Sequence, residues 1–145
     1  MKKLASKNLQ IFDVRSIWLE SDDYPKLLGS ADLGVCLHYS SSGFDLPMKV
    51  VDMFSSALPV CAFRYDTINE LVNEHINGLL FQNCEELSEQ LFNFIKEFNL
   101  DDCKTLSKMR KNLLNFNKKD WISQWKDKVL NKIVLLNKKE IKKTI

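Results

Sequence analysis

Residues 40–60, SSSGFDLPMKVVDMFSSALPV, most narrow the folds open to this chain. A polar, glycine-bearing loop enters a proline-started helix, and the helix gives way to an apolar strand. Proline suits a helix start because its missing N–H would find no intrahelical partner there. Just before the loop stands LGVCL (33–37), and the segment closes on PVCAF (59–63). Both are apolar without alternation, which marks strands covered on both faces of a parallel sheet. A strand, a crossover helix and a second parallel strand are therefore the minimum this stretch must build.

The same reading extends in both directions. LQIFDV (9–14) is expected as a short strand, and 22–30 as a helix with Asp22 or Asp23 near its cap, Pro25 in its first turn and Gly29 near its end. The loop covers 38–46, and the next helix runs from Pro47 to about Ala57. Pro59 is tolerated as a first strand residue. A short helix is expected over 67–72, then a tight turn at Asn77-Gly78 and the strand GLLF (78–81). Strands alternating with helices signify a doubly wound α/β sheet, whose ligands sit outside the carboxyl ends of its strands.

The second half is helical. Leu87, Leu91, Phe94, Ile95 and Phe98 form one stripe after Asn83 as cap; Leu106, Met109, Leu113 and Phe116 form another. Trp121, Trp125, Val129, Ile133 and Leu136 form a third, whose tryptophans demand a docking partner in this domain or a neighbouring one. Only four candidate strands and four glycines are present, without a G-x-G-x-x-G turn. The chain thus reads as the C-terminal portion of a larger protein.

A length of 145 residues, with 45% hydrophobic and 28% charged residues, describes one soluble domain or a piece of one. A net charge of +2 is too small to argue for nucleic acid. Lysines gather late, at 118, 119, 126, 128, 132, 138, 139, 142 and 143. They read as a solvated helix face and frayed tail, or as attraction to an anionic membrane or a phosphorylated acceptor. No apolar run approaches the roughly 20 residues of a membrane span, and no signal peptide follows Met1. Cys36, Cys61, Cys84 and Cys103 stand far apart; the first two lie in apolar runs as small hydrophobes, which suits a reducing compartment without zinc or disulfides.

Chemistry concentrates at the loop and the helix it enters. Lys49 and Asp52 are three residues apart and share one helix face. A helix start offers free N–H groups and partial positive charge to a phosphate, lysine adds a cation, and the carboxylate one turn deeper suits ribose hydroxyls. Lys49 also reads as a solvated lysine, and Asp52 as a surface residue or a cap for a neighbour. His38 ends a strand at the ligand-facing edge, as a structural histidine or a ligand contact. His75, beside a turn, carries no clear role.

HYSSSGFDLPMKVVDMFSSALPVCAF, flanked by WLESDDYPKLLGSADLGVCLH and NELVNEHINGLLF, closely resembles the donor-binding segment of the chitobiosyldiphosphodolichol β-mannosyltransferase family. The resemblance covers roughly residues 9–127. It implies the C-terminal half of a GT-B glycosyltransferase: an α/β, Rossmann-like parallel sheet with flanking helices and a helical C-terminus. It further implies inverting transfer of mannose from GDP-mannose to chitobiosyl-diphosphodolichol, in lipid-linked oligosaccharide synthesis for N-glycosylation. The catalytic base, membrane anchor and acceptor side would belong to an N-terminal domain. No cofactor or metal is implied beyond the donor itself, and Asp22-Asp23 reads as a cap. Association with other mannosyltransferases of the pathway, on the cytosolic face of the endoplasmic reticulum membrane, is implied as well; the chain itself, without a span, also suits the cytosol.

By the same resemblance Lys49 meets the donor diphosphate and Asp52 the ribose, although most relatives in the wider superfamily carry Glu there. Ser41, Ser42 and Gly43 match a loop whose amides approach the donor. The wider superfamily often has two glutamates here, but position 44 is Phe, which leaves the role of Asp45 open. Glu70 resembles a glutamate near the donor, or lies on a helix surface. Residues 1–118 form the partial Rossmann-like nucleotide-sugar-binding domain on this reading, and 119–145 a C-terminal helix and basic tail. Two alternatives stay open: a truncated, inactive GT-B paralogue serving as a nucleotide-binding or interaction module, and a GT-B transferase for another sugar nucleotide.

Overall fold

Three strands, β1 (Gly34–Cys36), β2 (Val60–Phe63) and β3 (Gly78–Phe81), pair in parallel in the order 1-2-3. The computed structural model describes residues 13–98, 103–116 and 121–135. Helix α1 (Tyr24–Ser30) precedes the sheet, and α2 (Met48–Ser55) crosses from β1 to β2. A short 3₁₀ turn (Ile68–Glu70) lies between β2 and β3, where a helix over 67–72 was expected. Then follow α3 (Cys84–Phe98), α4 (Lys104–Phe116) and α5 (Trp121–Trp125), the last continued by a π-helical turn (Lys126–Leu130).

The predicted α/β class, a parallel sheet with flanking helices, is what forms. The fourth expected strand, 9–14, falls mostly outside the described residues; Asp13 and Val14 lie in no regular element. Strand order runs one way, so among the described residues there is one wing of a wound sheet and no reversal point. The expected boundary at 118/119 also lies outside the described residues.

Register explains the two-sided core. Cys36 pairs with Ala62 and Ala62 with Leu80, so this row points to one face of the sheet. There it meets Val50 and Phe54, one turn apart on α2, together with Ile68 and Val72. The alternate row carries Cys61 and Phe81 to the other face, against Phe94 of α3 and Leu106 and Met109 of α4. Burying each such side chain stabilises the fold by about 1.5–3 kcal/mol. Burial also pushes the Cys61 thiol up to about 12, so it serves as a small hydrophobe as expected.

Close approach decides one glycine. A Cβ on Gly78 would stand 2.5 Å from the Val60 carbonyl oxygen, with Val60 Cγ2 at 3.1 Å and Val72 Cγ1 at 3.2 Å. Helix α2 ends in a Schellman motif: the Leu58 amide bonds Met53 O and the Ala57 amide bonds Phe54 O. Ala57 holds the left-handed position at φ 55°, where glycine is the usual occupant. Helix α1 is fastened from afar by Arg110 of α4, whose guanidinium donates to the carbonyls of Gly29 and Ala31.

One expectation of the apolar stripes fails. In α3, Phe94 enters the core, but Ile95 and Phe98 stand half exposed. The last helix was expected to dock on this domain or a neighbouring one; among the described residues Ile122 is 59% exposed, Ile133 44% and Val129 half-buried.

Candidate functional site

The parallel sheet sends β1 into the 38–46 loop at its carboxyl edge, and that loop feeds directly into α2. Its shape comes from one carboxylate. Asp45 Oδ2 lies 2.6 Å from His38 Nε2, and Asp45 Oδ1 accepts from the hydroxyls of Ser40 and, at 3.3 Å, Ser42. The serine hydroxyls in turn accept backbone amides: Gly43 N–H to Ser40 Oγ at 2.8 Å, and Phe44 N–H to Ser42 Oγ at 3.3 Å. These donors, Ser40 first and His38 next, hold the Asp45 carboxyl below the usual carboxylate range. Gly43 supplies the bend at φ 78°, a conformation costly for a residue with a Cβ.

The segment after β2 straps the loop down. Tyr65 Oη donates to Asp45 O at 3.0 Å, and Thr67 Oγ1 to Gly43 O at 2.9 Å. The His38 ring meets Tyr65 edge-on, with centroids 6.2 Å apart. The Tyr65 phenol is pushed upward, by burial and then by the nearby Asp45 charge.

Helix α2 begins without a side-chain cap. Pro47 occupies the N-cap with extended backbone, and the amides of Met48 and Lys49 find no acceptor among the described residues. The other long helices differ. Asn83 Oδ1 takes the Glu86 amide of α3 at 2.8 Å. Glu97 reaches from α3 to accept the Thr105 amide of α4 at 3.0 Å and the Cys103 thiol at 3.2 Å. An open N-terminus at the strand rim leaves two N–H groups and a partial positive charge facing outward.

Of the predicted site residues, the structure joins His38, Ser42, Gly43 and Asp45 into one bonded loop, with Ser41 exposed on it. Lys49 is exposed on the first turn of α2 and makes no ion pair among the described residues. Asp52 is half-buried on the second turn, beside the Tyr24 phenol of α1; burial and this carboxylate raise that phenol. Glu70 is exposed at the end of the 3₁₀ turn, three residues past Thr67. Neither Lys49, Asp52 nor Glu70 bonds to the loop among the described residues. Sequence reading passed over Ser40, Tyr65 and Thr67; SSS at 40–42 was the visible signal for the first. The Gly43 amide, expected to approach a donor, is instead committed to Ser40.

The site is an open rim. Hollows of about 280, 330 and 290 Å³ lie elsewhere, between α1 and α4 and along α3, and none is lined by residues 38–52. Among the described residues this rim offers hydroxyls, free amides and the Lys49 cation, and no second wall encloses it.

Comparison with known proteins gives the frame. A family model described as "Glycosyl transferases group 1" matches residues 3–97. The human chitobiosyldiphosphodolichol beta-mannosyltransferase is 51% identical over 127 residues, covering 88% of this chain and 27% of that protein. The protein of that name from Dictyostelium discoideum is 46% identical over 134 residues, covering 86% of this chain and 27% of that one. A protein of Arabidopsis thaliana named UDP-glycosyltransferase TURAN is 47% identical over 127 residues, covering 87% and 27%. The chain thus spans about a quarter of the length of these relatives. No solved structure matches it significantly. A parallel sheet feeding a rim loop into an uncapped helix, on a sequence half identical to named mannosyltransferases, places this chain among the group 1 glycosyl transferases, and it belongs to that family.

Proposed function

We propose that the chain supplies the donor-diphosphate face of a β-mannosyltransferase that uses GDP-mannose and chitobiosyl-diphosphodolichol. The observation that carries this reading is the uncapped start of α2 at the strand rim, with Lys49 beside it. Two free amides and the helix dipole stand on the same first turn as Lys49, whose ammonium group would join them at a pyrophosphate that leaves with the nucleotide. Lys49 rather than a metal ion would offset the departing charge. Asp52, one turn deeper, would accept from ribose hydroxyls. The openness of the rim supports a cleft whose other wall belongs to the rest of the protein, together with the acceptor site and general base. The lipid in the relatives' names supports work at the endoplasmic reticulum membrane, proposed here for its cytosolic face; no helix among the described residues is long and apolar enough to cross a membrane.

Calorimetric titration of GDP, UDP and GDP-mannose into the chain and its Lys49→Ala form tests this. Loss of a hydrogen-bonded cation at a phosphate weakens binding by about 10- to 150-fold. Asp52→Asn costs less, since an amide oxygen still accepts. Equal GDP affinity in the Lys49→Ala form removes Lys49 from the site and, with it, the reading. The plant relative's name favours a second reading, a uridine nucleotide, and tighter binding of UDP than GDP decides for it. By itself the chain is expected to transfer no mannose, and glycolipid product from it would overturn the assignment of the base to the missing part.

A further inference from the structure

We propose that Asp45 is a positioning residue: its carboxylate organises the loop that presents the donor site, and does not touch the donor. The inference rests on the donor-site reading above and adds to it. Both carboxylate oxygens are already engaged. Oδ2 faces His38 Nε2 at 2.6 Å, and Oδ1 takes the Ser40 and Ser42 hydroxyls. A hydroxyl has one proton to give. Once the Ser40 proton is aimed at Asp45, its lone pairs turn toward the Gly43 amide at 2.8 Å. Ser42 relays in the same way to the Phe44 amide. A single acceptor-only group thereby sets the direction of two hydroxyls and two amides.

The outer clamps complete the arrangement. Tyr65 and Thr67 hold the carbonyls of Asp45 and Gly43 from the far side, so the loop is fixed by a carboxylate within and two hydroxyls without. Two residues after Asp45, Pro47 occupies the N-cap position of α2, where the first amides are free. Moving Asp45 therefore moves the entry to the helix start. An unscreened carboxylate at this place would repel a diphosphate, whereas three donors around it spread that charge.

The test separates geometry from charge. Asp45→Asn keeps an oxygen for Ser40 and Ser42 and offers an N–H to a neutral imidazole nitrogen, while Asp45→Ala keeps neither. GDP titration at pH 8 is expected to show about tenfold weaker binding in Asp45→Ala, with most of that loss recovered in Asp45→Asn. Amide exchange at Gly43 and Phe44 is expected to quicken in Asp45→Ala alone, with the β2 amides still protected. Where Asp45→Ala does not fold, Ser40→Ala removes the Ser40 half of the relay, and exchange is then expected to quicken at Gly43, with GDP binding weakened, while Phe44 keeps its Ser42 acceptor. An equal loss in Asn and Ala overturns the proposal, because it marks a charge contact with the donor. Unchanged affinity in Asp45→Ala, with wild-type binding intact, overturns it too and leaves the donor-site reading standing. A wild-type chain that binds no nucleoside diphosphate overturns that reading, and this inference with it.

Discussion

Asn77 is the most exacting place to test the packing argument. Its side chain is 2% exposed on the turn that enters β3. Oδ1 accepts the Asn73 amide at 2.8 Å, and Nδ2 donates to the Leu71 carbonyl at 3.1 Å. Asn77→Ala deletes both bonds, while the backbone bond from the Asn77 amide to Asn73 O survives. The lost Asn73 bond is worth about 1 kcal/mol net, and the Leu71 carbonyl left bare costs about 1–3 kcal/mol. Together these make about 2–4 kcal/mol, a large part of the roughly 5–15 kcal/mol that holds a domain folded. At roughly 4 °C for each kcal/mol, the Tm falls by about 8–16 °C. Urea unfolding followed by far-UV circular dichroism measures this, with an unchanged m-value showing that the same surface unfolds.

A charged variant sharpens the test. Asn77→Asp keeps the acceptor for Asn73 but aims a carboxylate at the Leu71 carbonyl, which raises its folded pKa above the unfolded value. A raised carboxyl contributes its full stability below the unfolded pKa and loses it as pH rises through the folded one. The gap between Asn77→Asp and wild type should therefore narrow from pH 7 toward pH 4. An Asn77→Ala chain within about 0.5 kcal/mol of wild type, or a gap indifferent to pH, refutes the reasoning.

Four further outcomes are expected. Gly78→Ala drives its Cβ against the Val60 carbonyl and costs about 1–3 kcal/mol or more by thermal melting. Gly34→Ala meets only the flexible Met53 thioether and costs less, and that cost shrinks further in a Met53→Ala background. Ala57→Gly relieves a left-handed alanine and changes stability by about 0 to +1 kcal/mol, the loss of a buried methyl offsetting part of the gain; clear destabilisation removes the strain argument. The Asp45 carboxyl, lowered from 3.8 by Ser40 and His38, stabilises the loop above the ordinary carboxylate range, and that contribution is lost as pH falls through its own folded value. Carboxyl carbon NMR should place its midpoint below 3.8 and shift it upward in Ser40→Ala.

Local chemistry was legible in the residues wherever one short segment carries its own signal. The runs LGVCL, PVCAF and GLLF announced β1, β2 and β3 because an unbroken apolar stretch has only a two-sided core to enter. Asn83 announced the start of α3, since an amide oxygen at that spacing satisfies an orphan N–H. The rim loop was legible too, through chain order, as was the helix that carries Lys49 and Asp52. Tertiary structure alone decided which members of an apolar stripe find a partner: Phe94 is buried while Ile95 beside it is not. It also decided that Asp45, rather than the serines and glycine around it, governs the loop, and that Tyr65 and Thr67 hold it from 20 and 24 residues away. Such bonds depend on where the sheet sets two distant segments side by side, and no periodicity along the chain encodes that distance.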